Sequence, residues 1–155
     1  MNEPIIKAIT LNYSEDLFAL LLLADPSQKN INEYLNKSLI YGAYINNVLV
    51  GVYVLFPVDE QTIEIKNIAV SEDFQKRGIG TLLLHHAKEE TVTKGYLQLT
   101  IGTANSSISQ LSLYQKNGFE IYEIIMDFFA DNYNEPIFEN GIQAKHMIML
   151  MQKVS

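Results

Sequence analysis

The sequence predicts a mixed α/β (α+β) fold in which one sheet is flanked by helices. Three features carry that expectation. The first half holds adjacent strand-like runs joined by short turns. After residue 78 the apolar period changes from two to 3.6. Strands and helices then alternate toward the C-terminus.

The elements follow in order. Residues 5–11 are an apolar-rich opening strand. Ser14 stands where an N-cap belongs, with Leu17, Leu20, Leu21 and Ala24 at helical spacing and Pro26 beyond the end. Ser27 opens a second helical stretch to residue 37, with Ile31, Tyr34 and Leu35 as its apolar face. Residues 39–45 and 48–58 read as strands joined by the turn pair Asn46-Asn47, and 62–70 as a further strand. Ile79, Leu82, Leu83, His86, Ala87 and Glu90 mark a helix over 78–94, closed by Gly95. A strand over 96–102, a helix over 106–117 closed by Gly118, and a strand over 119–129 come next. A polar segment, 130–143, precedes a last strand over 144–151. That apolar last strand suits either a core position or a dimer edge, so a homo-oligomer stays open.

Composition narrows the function. The 155 residues suit a single domain over 1–155, and 48% hydrophobic content is enough to build its core. The net charge of −7 argues against a nucleic-acid partner and leaves cationic small partners, or plain solubility, as readings. No apolar run approaches the ~20 residues of a membrane span. Residues 1–4 lack the basic start of a secretory signal, so a cytoplasmic protein without a membrane partner is expected. The absence of cysteine excludes disulfides, thiolate-bound zinc and a cysteine nucleophile.

The informative stretch is Asn67-Ile68-Ala69-Val70 followed by Gln75-Lys76-Arg77-Gly78-Ile79-Gly80-Thr81. A strand ends, a loop turns, and a helix begins. The first N–H groups of a helix have no intrahelical partner and lie at its positive end, which makes an anion site. Gly78 and Gly80 allow close approach to the backbone, and Lys76 and Arg77 add charge. A P-loop would need Gly-Lys-Ser/Thr, which is absent. A Rossmann fingerprint would need a third small residue at position 83, where Leu83 stands.

The pattern Gln-x-x-Gly-x-Gly resembles the acyl-CoA pyrophosphate loop of the GNAT superfamily of N-acetyltransferases. Ile68-Ala69-Val70 looks like that family's strand end, and Leu113-Tyr114-Gln115-Lys116-Asn117-Gly118-Phe119 like its Leu-Tyr-x-Lys-x-Gly-Phe signature. The resemblance covers residues 48–128 well and the ends loosely. It implies a mixed, mostly antiparallel seven-stranded sheet with about four helices. It also implies acetyl-CoA as co-substrate, held by the backbone of Gln75 to Thr81 and by the Ile68, Ala69 and Val70 edge, with no metal. The family splays this strand from the next, which the sequence does not show.

Acetyl transfer to an amine sets its own demands. An alkylamine has a pKa near ~10.4, so a base must take its proton. A donor must stabilise the developing oxyanion, and an acid must help the thiolate leave. Without cysteine, direct attack in a ternary complex is the simpler scheme. By resemblance, Tyr114 is the acid; the plainer reading is one packed tyrosine among nine. Glu64, five residues before Ala69, is by resemblance the base; the plainer reading is a surface charge paired with Lys66. Either Asn105 or Ser107 resembles the polar cofactor contact after the next strand, the spacing to Tyr114 leaving the choice open. The acceptor is then a primary amine of a small molecule or peptide. The alternative is a non-catalytic acyl-CoA sensor with the same fold.

The remaining polar residues carry less. His85, His86 and His146 have no metal-ligand spacing and read as structural or surface groups. Asp127, Asp131 and Glu135, beside Phe128, Phe129 and Tyr133, read first as a solvated loop with a few packed rings or a dimer contact, and second as a receiver of a cationic amine.

Overall fold

The computed structural model describes residues 2–10 and 13–154. The predicted first strand is observed as β1 (Ile5–Ile9), and its expected end at Leu11 lies outside the described residues. The two predicted N-caps form. Ser14 Oγ accepts from the Leu17 N–H at 3.2 Å and starts α1 (Glu15–Ala24). Ser27 Oγ accepts from the Asn30 N–H at 3.1 Å and starts α2 (Gln28–Leu35). Each satisfies one otherwise unpaired helix donor. Asn46 and Asn47 both adopt positive φ, as a two-residue hairpin turn requires, and join β2 (Leu39–Ile45) to β3 (Val48–Pro57).

β4 (Thr62–Val70), α3 (Ile79–Thr93), β5 (Gln98–Ala104) and α4 (Ile108–Lys116) follow as expected. The C-terminal quarter differs. β6 (Glu120–Ile125) stops early, and Phe128 and Phe129 open a short helix, α5 (Phe128–Asn132). The polar segment then folds a hairpin, β7 (Ile137–Glu139) and β8 (Ile142–Ala144), before β9 (Met147–Lys153). Asn140 and Gly141, both at positive φ, form its turn. Asn-Gly is a strong hairpin signal, and the polarity of the surrounding segment hid it.

Seven strands form one sheet in the order β1-β2-β3-β4-β5-β9-β6, and β7-β8 form a separate pair. Within the large sheet only β4 and β5 run parallel. β9 lies between β5 and β6, so the apolar last strand is interior. β6 is the edge instead, with Ile121, Tyr122 and Ile124 exposed.

Helices cover both faces. One core joins the sheet to Ile79, Leu83, Leu84 and Ala87 of α3 and to Tyr114 and Phe119. The other joins it to Leu17, Leu20 and Leu21 of α1 and to Ile31, Tyr34 and Leu35 of α2. His86 and Glu90 reach down from α3 to the hydroxyls of Tyr53 (2.6 Å) and Tyr41 (2.7 Å). No helix among the described residues is long and apolar enough to cross a membrane.

One irregularity positions the functional region. In the β3–β4 ladder, Leu55 pairs with Ile65 and Val54 with Asn67, leaving Lys66 as an extra residue. Such a bulge bends its strand and shifts the side-chain alternation by one. Ile63 and Ile65 therefore face α3 before it, and Ile68 and Val70 after it. Asn67 faces α1, donating from Nδ2 to the Leu21 carbonyl (2.9 Å) and to the Tyr34 hydroxyl (3.0 Å). The parallel pairing of β4 with β5 ends at Ile65↔Ile101, immediately before the bulge. β5 meanwhile stays paired with β9 as far as Ala104↔Met147. A wedge opens between the ends of β4 and β5.

Candidate active site

The wedge leads into a cleft of about 650 Å³. Three of its walls come from elements that the sequence singled out. Ile68, Ala69 and Val70 supply one, from the β4 end that has lost its neighbour. The loop and first turn of α3 supply the second, through Gln75, Lys76, Gly78, Ile79, Gly80 and Thr81. Tyr114 and Leu113 on α4 supply the third.

The α3 loop owes its shape to local forces. Lys76 (φ 62°) and Gly78 (φ 82°) are both left-handed, and Gly78 caps the helix. The Gln75 amide donates to the Val70 carbonyl at 3.0 Å and ties the loop to its own strand. The first helical bond runs from Leu82 N–H to Gly78 O, so the N–H groups of the first turn remain for a ligand. A side chain on Gly80 would first meet Leu113 Cδ2 at 3.7 Å, so the glycine keeps the floor between α3 and α4 low. Lys76 lines the cleft. Arg77 does not: its guanidinium lies over the Phe74 ring, 5.1 Å from the centroid.

Tyr114 is 4% exposed and packs its ring against Phe119. Burial raises its phenol well above the ordinary value, so it keeps its proton at neutral pH. Among the described residues its hydroxyl has no hydrogen-bond partner, and it stands in the cleft wall as a free donor.

Glu64 is not in the cleft lining. It lies on the paired part of β4, opposite Thr100 of β5, below the point where the wedge opens. Alternation and the bulge put it on the α1 side, with Asn67 and Ala69. Burial raises its carboxyl, and Lys66, whose Nζ is 3.5 Å from Oε2, opposes that shift.

Asn105 and Ser107 also lie outside the lining, and their side chains bond within the protein. Asn105 Oδ1 accepts from the N–H groups of Lys145 (2.8 Å) and His146 (2.9 Å). Its Nδ2 donates to the Gln143 carbonyl at 3.1 Å. Ser107 Oγ donates to Glu139 Oε1 at 2.9 Å, and Ser106 Oγ donates to the same oxygen at 3.2 Å. Both positions fasten the segment 126–146 to the sheet and α4.

That segment brings residues the sequence reading missed. Glu139 and Asn140, at the tip of the β7–β8 hairpin, line the cleft opposite the C-terminal end of α1, where Leu23 and Ala24 contribute. Asn140 Nδ2 donates to the Ser106 carbonyl at 2.9 Å. Farther back, Tyr133 donates to Asp25 Oδ1 at 2.8 Å, and burial pushes its phenol up to about 12. Asp127, Asp131 and Glu135 are exposed and do not line the cleft. His146 Nδ1 accepts from the Asp127 N–H at 2.9 Å, a structural role. Among the described residues no group of three His, Asp or Glu side chains forms a metal site.

A splayed strand edge, an unobstructed helix N-terminus and a buried phenol around one cleft define a protein that binds an acylated, diphosphate-bearing carrier. The comparisons agree. The acetyltransferase (GNAT) domain family matches residues 36–121, more than half of the chain. The N-acetyltransferase YvbK of Bacillus subtilis (strain 168), itself uncharacterized, is 50% identical over 88% of both chains. A GNAT family acetyltransferase from Elizabethkingia anophelis, solved with acetyl-CoA bound, is 48% identical, with a TM-score of 0.95 over 99% of each chain. A Bacillus subtilis acetyltransferase solved with CoA is 46% identical, with a TM-score of 0.94 over 99% of this chain and 100% of that one. The chain belongs to the GNAT acetyltransferase family, and it is an acetyl-CoA-dependent N-acetyltransferase.

Proposed function

We propose that the protein, as one domain over residues 1–155, transfers the acetyl group of acetyl-CoA directly to a primary amine within a ternary complex. The observation that carries this reading is the convergence of the α3 N-terminus, the unpaired β4 edge and the Tyr114 hydroxyl on one cleft. The residues present fit the co-substrate. The first-turn N–H groups of α3 and Lys76 suit a diphosphate. The backbone of Ile68 to Val70, unpaired toward β5, suits an amide-bearing arm that adds like a strand. When bound, acetyl-CoA supplies an activated thioester.

The chain's own groups do the rest. Tyr114 donates its Oη proton toward the departing sulfur, a role that its protonated state permits. In this scheme a backbone N–H near Ile68 meets the developing oxyanion. Glu64 takes the amine proton through intervening water, since it lies outside the cleft lining. Its raised carboxyl makes it a better proton acceptor than an exposed glutamate. A chain without cysteine suits the reducing cytoplasm, where this reading places the protein.

The test follows CoA release with a thiol reagent, using acetyl-CoA and a panel of amines, with Tyr114→Phe in parallel. The chain has no thiol of its own to raise the background. Amine-dependent release should fall about 100-fold in the variant, while calorimetry shows acetyl-CoA binding unchanged. Acetyl-CoA binding without release for any amine would refute turnover and leave the sensor.

A further inference from the structure

Within the cleft lining, Lys76 is the cation and Glu139 the carboxylate. They belong to separate walls, the α3 loop and the hairpin tip. Lys76 stands with the anion-binding helix end. Glu139 has no such complement: among the described residues no lysine, arginine or histidine pairs with it.

Its carboxylate is nevertheless held in place. Oε1 accepts from both Ser106 and Ser107, and Asn140 fixes the adjoining turn on the Ser106 carbonyl. Oε2 has no partner among the described residues. Fastening the hairpin to α4 would need only one oxygen and no charge. A fixed carboxylate with a free oxygen in a ligand cleft offers a charge-assisted acceptor.

The geometry points to Glu139 as the residue that receives a second cationic group of the acceptor, beyond the amine that reacts. This rests on the transfer reading above. The reacting amine must lose its proton, whereas a carboxylate beside it would favour the charged form. Glu139 therefore suits a cation that stays a cation. The acceptor class is a di- or polycationic amine.

The test uses the protein loaded with CoA and two probes of equal carbon chain, 1,4-diaminobutane and butylamine. Calorimetry should show the diamine binding at least about tenfold tighter than the monoamine. Glu139→Gln keeps an oxygen for both serine hydroxyls and removes the charge. It should erase that preference, with acetyl-CoA affinity and melting temperature unchanged. Glu139→Asp, which keeps the charge, should restore part of it. In turnover the loss should appear in KM for the diamine, with kcat preserved. Equal binding of the two probes, or a preference that survives Glu139→Gln, would overturn the proposal. The binding readout does not depend on turnover. Glu139-dependent diamine binding without CoA release would therefore sink the transfer reading alone, and turnover indifferent to Glu139 would sink this one alone.

Discussion

The loop of residues 71–78 and the excursion of residues 126–146 face the same cleft, but they hold their shapes by different means. The loop is held largely by its neighbours in sequence, with one longer bond from the Ser71 N–H to the Val50 carbonyl at 2.8 Å. Gln75 bonds to Val70, Phe74 N–H to Ser71 O, and Lys76 and Gly78 set the turn by their own backbone angles. The excursion is held by partners far along the chain. Asn105 clasps its return at Gln143, Lys145 and His146, Ser106 and Ser107 hold Glu139, and Asp25 holds Tyr133. A site can thus combine a largely local loop with a wall that exists only once the rest of the sheet has formed. Changes to the first should act on ligand binding. Changes that cut the tethers of the second should act first on stability.

The sharpest way to break this contrast is Gly78→Val. A β-branched side chain at φ 82° is strained by about 1–2 kcal/mol, and the cradle must shift to relieve it. Acetyl-CoA affinity measured by calorimetry should fall about tenfold or more. An unchanged affinity would mean that the loop geometry does not set the binding.

Asn105→Ala should do the opposite. Three side-chain hydrogen bonds disappear, at a cost of about 2–3 kcal/mol in denaturant unfolding. Acetyl-CoA affinity of the folded protein should stay the same. A large loss of affinity would return Asn105 to the cofactor contact that its position in the sequence suggested.

Tyr133→Phe removes one bond to Asp25 and should cost about 1 kcal/mol. Limited proteolysis should cut within 126–146 sooner, with the α3 loop as resistant as before.

The smallest effect concerns Glu64. Burial raises its carboxyl in the folded protein, so the folded state holds that proton more tightly than the unfolded chain does. Its contribution to stability is present below the unfolded-state pKa and is lost as pH rises through the raised folded value. The stability of Glu64→Gln relative to the parent should therefore improve between pH 4 and pH 7 in parallel melts. A gap that does not change with pH would mean that Lys66 fully compensates the burial.

Much of this was legible in the residues. The Ser14 and Ser27 caps, the Asn46-Asn47 turn and the change of period at Ile79 follow from local rules, and the structure repeats them. So does the turn into α3 at Gly78, because its backbone geometry is encoded where it is used. Asn105 and Ser107 were singled out as polar groups near a site, but polarity does not say which partner a side chain meets. Glu139 was missed because its importance comes from Ser106 and Ser107, more than thirty positions away.

The sequence by itself determined the order of the elements from β1 to β6, the glycine-turned start of α3 and the absence of a cysteine nucleophile, and it singled out Tyr114. Only the tertiary structure decided that β4 parts from β5 after Ile65, that Glu64 lies below the opening, and that the hairpin tip lines the cleft. The physical reason is range. Caps, turns and glycines act within a few residues and leave a local signature. A wedge set by a bulge against a neighbouring strand, and a wall tethered across the fold, arise from pairings between distant segments.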